Sequence, residues 1–173
     1  MLVFCLILLI RTIDSFAIEK VVYHHYYKKE HDYYHIGMPS LTEEDLNGLC
    51  KDILQIDNSI RFIGIANNLG SLVATAYRNG LTPLMDKQET SHYAIQAVLR
   101  AATREDFESK IGRLAHSIGK YEKLIRATIP IRLFGKEDDE SKFYYLLLSF
   151  DLNSNVMDVI ENKIMPFIRK NKE

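Results

Sequence analysis

Ile60–Tyr77 reads IRFIGIANNLGSLVATAY. Two β-rich runs, Ile60–Ala66 and Leu72–Tyr77, flank the four turn-forming residues Asn67-Asn68-Leu69-Gly70. Branched and aromatic residues on both sides of such a turn predict an antiparallel hairpin. Asn and Gly tolerate the left-handed backbone angles that the turn demands. The first run is apolar on both faces at several positions, which predicts a central strand covered on each side.

Upstream, Ser40-Leu41-Thr42-Glu43 fits a capping box, in which each side chain satisfies the other residue's exposed backbone donor. A helix is expected to follow to about Ile56, with Leu46, Leu49, Cys50, Ile53 and Ile56 repeating at three and four on one buried stripe. Downstream, Arg78-Asn79-Gly80 and Pro83 break the pattern. Asp86 with Glu89 or Thr90 then starts a long helix, expected to end at Gly112 as its left-handed terminator. Ala94, Ile95, Ala97, Val98, Ala101, Ala102 and Phe107 form its apolar side, and the alanines let it lie close to a sheet. Three more strands are expected: Leu114–Ile118, then Lys123–Leu133 after a turn at Gly119-Lys120, then Phe143–Phe150. The charged stretch Gly135–Lys142 reads as the loop between the last two. Asp151–Asn155 reads as a turn and helix cap. Val156, Val159, Ile160, Ile164, Phe167 and Ile168 share one face of a final helix that Pro166 should kink or end near Met165.

The order α-β-β-α-β-β-β-α predicts an α+β fold: a single five-stranded, mainly antiparallel sheet flanked by helices. The domain is expected over residues 41–171, with residues 1–40 as an extension. The chain has 173 residues, 47% hydrophobic and 26% charged, which suits one globular core. A formal net charge of -1 supplies no field to attract nucleic acid, and none is expected as a partner.

The first 40 residues hold two unusual stretches. Leu2–Ile10 is nine consecutive apolar residues, too short for the ~20 that a membrane-spanning helix needs. No Lys or Arg precedes it, although Ser15-Phe16-Ala17 resembles a signal-cleavage site. With only Cys5 and Cys50 and no C-x-x-C motif, a cytoplasmic protein is the expectation, and a signal or membrane association through residues 1–17 is the alternative. Val21–His35 then carries five tyrosines and four histidines. His24, His31 and His35 would share a helical face, and the last two have chelating spacing. Tyr pairs favour extended structure and no Cys joins them, so the segment reads as a polar linker without a metal site.

No chemistry-bearing motif is present. Gly112 to Gly119-Lys120 has the wrong spacing for a phosphate loop and ends in Tyr121. Cys50 falls on a buried stripe, His92 near a helix start, His116 in an expected strand and Glu122 in a turn. Asp138, Asp139 and Glu140 lack calcium-loop spacing and read as a solvated hairpin tip. We expect no enzyme, no catalytic, cofactor or metal residues, and no cofactor.

The element order resembles that of the roadblock/dynein-light-chain (roadblock/LC7-like) domains, within the wider profilin-like group. RFIGIANNLGSLVATAY (Arg61–Tyr77) resembles their buried strand, Gly-containing turn and second strand. YYLLLSFDLNSNVMDVIENKI (Tyr144–Ile164) resembles their closing strand, Asp-containing turn and final helix. Ile60–Asp86 is also similar to a family of small proteins from ammonia-oxidising archaea. The resemblance covers about Leu41 to Arg169. It implies a non-catalytic scaffold that homodimerises by pairing a sheet edge or a helix, and that partners a small GTPase or another regulatory protein. A profilin-like sensory module is the alternative, and it requires a ligand cavity of roughly 300 Å3 or more between sheet and helices.

Overall fold

The computed structural model describes residues 35–37, 42–134 and 142–170. The hairpin forms as its sequence predicts. Strand β2 (Ile60–Asn67) pairs antiparallel with β3 (Leu72–Tyr77), with Ile63 opposite Ala76 and Ile65 opposite Ala74. Strand β2 also pairs antiparallel with β6 (Lys142–Phe150), which pairs in turn with β5 (Ile125–Phe134). Strand β4 (Ser117–Lys120) completes five antiparallel strands in the order β4-β5-β6-β2-β3. A sixth, β1 (His35–Gly37), lies parallel to β5 at Arg132–Phe134, beyond the stretch of β5 that β4 covers. His35 therefore stands in a strand and not on the helical face that its spacing allowed. His24, His31, the Leu2–Ile10 run and Asp138–Glu140 lie outside the described residues.

β2 and β6 are buried on both faces, so each face needs its own layer. On one face helix α1 (Glu43–Ile56) and the C-terminal helical segment cover Ile63, Ile65, Leu146, Leu148, Ile129 and Ile131. On the other, helix α2 (Lys87–Glu105) lays Ala94, Ala97, Val98 and Ala101 on Phe62, Ala66, Tyr145 and Leu147. Every buried Ile or Leu in these layers contributes about 1.5–3 kcal/mol through removal from water.

Five local expectations shift. The capping box of α1 is Thr42 with Asp45, not Ser40 with Glu43: Asp45 accepts from the Thr42 N–H at 2.9 Å, and Thr42 Oγ1 accepts from the Asp45 N–H at 3.2 Å. Thr42 is still extended, so Glu43 becomes the first helical residue and cannot reach back as a box partner. Asp86 caps α2 with Glu89 as expected. That helix stops at Glu105, because its buried stripe ends at Ala101 and the residues after it have no core to face. A separate turn of helix, α3 (Glu108–Ile111), is the one that Gly112 terminates at φ 85. Gly119 and Lys120 belong to β4, and residues 121–124 make the turn, closed by Tyr121 N–H to the Leu124 carbonyl at 2.9 Å. His116 accordingly precedes β4 and does not lie in it.

The fifth concerns Pro166, which does not end the last helix near Met165 but follows an irregular turn within it. Helix α4 (Val156–Asp158) widens into a π-helical turn (Val159–Ile164) and resumes as α5 (Met165–Lys170). Met165 donates to the Ile160 carbonyl, five residues back. Proline lacks an N–H and its ring crowds the carbonyl four residues earlier. The wider turn directly before it relieves that crowding and keeps Ile160, Ile164 and Ile168 buried in one stripe.

Two carboxylates fasten the elements at one end of the sheet. Asp151, just past β6, accepts from Arg61 at 2.8 Å and from Arg78 at 2.6 Å, so it ties together the ends of three neighbouring strands. These guanidinium groups, Arg78 foremost, hold its carboxyl below the usual range. Asp57 ends α1 and accepts from Lys163 at 2.6 Å and from the Ser59 hydroxyl and N–H at 2.6 and 2.9 Å. The Lys163 hydrogen bond, then those from Ser59, lower its pKa from 3.8 to about 2.

Helix α2 docks against the hairpin turn at Gly70, whose φ is 80. A Cβ there would stand 2.5 Å from Ile95 Cα. Gly70→Ala therefore adds a backbone clash to a strained angle and should destabilise the fold by about 2 kcal/mol or more in chemical denaturation. Asp57 is ionised more readily folded than unfolded, so its contribution is present above about pH 4 and is lost as pH falls toward 2. Asp57→Asn should cost roughly 1 kcal/mol at neutral pH and flatten the acid limb of the stability curve between those values.

Candidate interaction surface

Among the described residues β3 is the last strand on its side of the sheet, so one row of its backbone groups has no strand partner there. The hydrogen-bonding pattern identifies which groups these are. Arg78 N–H donates to the Arg61 carbonyl at 2.9 Å, so that pair is a bonded one. Bonded and non-bonded pairs alternate along an antiparallel ladder. Ile63–Ala76 and Ile65–Ala74 are therefore bonded, and Thr75 and Tyr77 turn their N–H and C=O groups outward.

The flanks of this edge are open and carry both apolar and polar side chains. A concavity of about 980 Å3 runs along β3 from Gly70 to Tyr77, between Glu43 and Asn47 of α1 and Lys87, Ser91 and Ile95 of α2. At the start of β3 stand Leu69, 60% exposed, and Ile95, 44% exposed. At its end stand Tyr77 and Leu84, the latter 53% exposed. Tyr77 packs its ring on Phe62 at 4.7 Å, which fixes it on the α2 face. The loop carrying Leu84 is held in turn by its neighbour: Arg126 donates to Met85 Sδ at 2.8 Å and lies 3.6 Å over the Tyr93 ring.

The interior offers much less space. Between the sheet and the 81–85 loop lies a cavity of about 30 Å3, room for one or two waters and an order of magnitude below a ligand site. Cys50 is fully buried, and burial pushes its thiol up to about 12, so it is a core residue and not a nucleophile. His92 sits on the exposed side of α2 beside Gln96 at 3.2 Å. Glu122 is exposed in the 121–124 turn. The structure does not bring these residues together. Among the described residues there is no group of three or more His, Cys, Asp or Glu placed to hold a metal ion, and no helix long and apolar enough to cross a membrane.

The hairpin is legible in the sequence, but the place of its second strand at the edge of the sheet is not. An edge strand and an interior one differ in their neighbours more than in their residues. The partial signal was the alternation in LVATAY, weaker in apolar content than IRFIGIA.

No family model and no curated relative matches the sequence. Solved structures do match in fold. The gliding protein MglB from Thermus thermophilus superimposes with a TM-score of 0.55 at 14% identity, covering 78% of this chain and 92% of that one. Myxococcus xanthus MglB gives 0.54 at 13% identity over 78% and 89%. A roadblock/LC7 domain from Streptomyces avermitilis gives 0.51 at 9% identity over 72% and 92%. This chain has the roadblock/LC7 fold: an antiparallel five-stranded sheet with helices on both faces.

Proposed function

We propose that this protein is a non-catalytic interaction module of the cytoplasm that works as a homodimer, with a small GTPase or another regulatory protein as its further partner. The observation that carries the self-association is the open edge of β3, whose outward Thr75 and Tyr77 backbone groups are bordered by exposed Leu69, Leu84 and Ile95. Unpaired strand edges template pairing with another chain unless they are blunted. β3 itself contains neither charge nor proline; the charges that border it are Glu43 of α1, Asp86 at the cap of α2 and Lys87 of α2. Burial leaves the Cys50 thiol inert, and the cavity beneath the 81–85 loop is too small for a substrate. One solved structure of the same fold, MglB, is described with a tetrameric arrangement, which supports assembly as a property of this architecture. The GTPase partner rests on the resemblance to roadblock domains, and cytoplasmic residence on a cysteine content that forms no disulfide framework.

Light scattering on the full chain at roughly tens of micromolar should give a mass about twice the 20.1 kDa of one copy, because a dimer's population depends on protomer concentration. A strict monomer under those conditions overturns the self-association. Lys163→Met should leave the mass unchanged, since Lys163 bonds Asp57 at the distant end of α1 and lies outside the groove.

A further inference from the structure

Arg126 is a half-buried cation among neutral groups. It stands on β5 in the cross-strand row of Ser149 and Phe62, on the face that α2 covers. Its guanidinium meets Met85 Sδ at 2.8 Å and lies 3.6 Å over the Tyr93 ring. A thioether is a weak acceptor, and an arginine has five N–H donors to place. A second guanidinium comes to the same ring. Arg100, two turns further along α2, has its Cζ 5.5 Å from the Tyr93 centroid, and its polar contact is Gln96 Oε1 at 3.4 Å. Among the described residues neither arginine has a carboxylate within ion-pair distance. Glu89, one turn before Tyr93, is held in the cap of α2 by the Asp86 N–H at 2.9 Å. Two like charges on one ring repel each other until an anion joins them.

The turn after β4 adds a fourth group. Gly119 is the residue opposite Arg126, and facing residues of a strand pair share one side of the sheet. A Cβ at Gly119 would stand 3.4 Å from the Tyr121 ring, so that ring lies back over the glycine, on the side of Arg126. Tyr121 is 51% exposed and close enough to Tyr93 to act on its phenol. Burial above all keeps the Tyr93 pKa above its ordinary value despite the two arginines, so its O–H remains a donor at neutral pH.

We propose that Arg100, Arg126, Tyr93 and Tyr121 form a binding site for the phosphoryl group of a phosphate monoester. All four side chains donate hydrogen bonds. A monoester carries close to two negative charges at neutral pH and matches two guanidinium groups, where a carboxylate brings one. An arginine stacked by its flat face keeps its N–H edge for paired bonds to phosphate oxygens. Arg100 and Tyr121 are exposed, so the ligand enters from solvent. β2 and β6 separate β5 from β3, and the site does not depend on self-association through the β3 edge.

Calorimetric titration of the full chain with inorganic phosphate, with a phosphoserine peptide and with acetate at equal ionic strength tests the site. Both phosphates should bind saturably, with Kd below about 1 mM, and acetate should not. Arg100→Gln should weaken phosphate binding about tenfold or more, the scale of one charge-assisted hydrogen bond, and leave the melting temperature unchanged because the side chain is exposed. Arg126→Lys keeps the charge but loses the fork, and should weaken binding to a similar degree. Tyr121→Phe should weaken it about threefold. A peptide that binds tighter than inorganic phosphate assigns the site to a phosphorylated partner, and one that binds no tighter assigns it to a free phosphate. Absence of saturable phosphate binding, an equal response to acetate, or an affinity unchanged by Arg100→Gln overturns the site.

Discussion

The two-sided burial of β2 and β6 is the constraint on which the rest of the structure depends. A strand that is apolar on both faces cannot sit at a surface, so it requires a neighbour on each side and a helical layer above and below. Ile63, Ile65, Leu146 and Leu148 face α1 and the C-terminal helices, and Phe62, Ala66, Tyr145 and Leu147 face α2. The alternation of these residues is strict because the side-chain period of a strand is two, and a slip of one residue would move every one of them to the wrong layer. The carboxylate of Asp151 prevents such a slip by fastening the ends of β2 and β3 to the end of β6 through Arg61 and Arg78.

This core leaves the sheet with two unlike edges. The β5 edge is shared by short strands from elsewhere in the chain, with a proline between them. The β3 edge receives nothing among the described residues, although helices from both layers flank it. The close contact of Gly70 with Ile95 brings the backbone of α2 against the hairpin turn at the start of β3. The same packing that holds α2 on the sheet therefore shapes the surface beside β3.

Much of this was legible in the residues and some was not. The hairpin, the Asp86 cap of α2, the burial of Cys50 and the two apolar strands all follow from local pattern, since periodicity and capping are set by near neighbours. Boundaries that depend on distant contacts came out differently. The stop of α2 at Glu105 reflects where the sheet ends beneath it, and the start of β4 at Ser117 reflects where β5 offers a partner. The π-helical turn before Pro166 makes room for the proline ring inside a continuing helix; the proline signals a disruption there but not its form. The Arg61–Asp151–Arg78 cluster joins residues up to 90 positions apart, which chain spacing alone does not relate.

The sequence by itself determined which segments are strands and helices, that the core strands need cover on two faces, and that no familiar catalytic motif is present. Those are properties of spacing and side-chain type, which the chain carries wherever it goes. Only the tertiary structure decided that β3, and not β2 or β6, is the edge strand among the described residues, that Leu69 and Ile95 gather at one end of it and Tyr77 and Leu84 at the other, and that β1 joins β5 on the far side. Edge or interior is a relation between strands distant in the chain. It is fixed when the sheet assembles, by which backbone groups have already found partners.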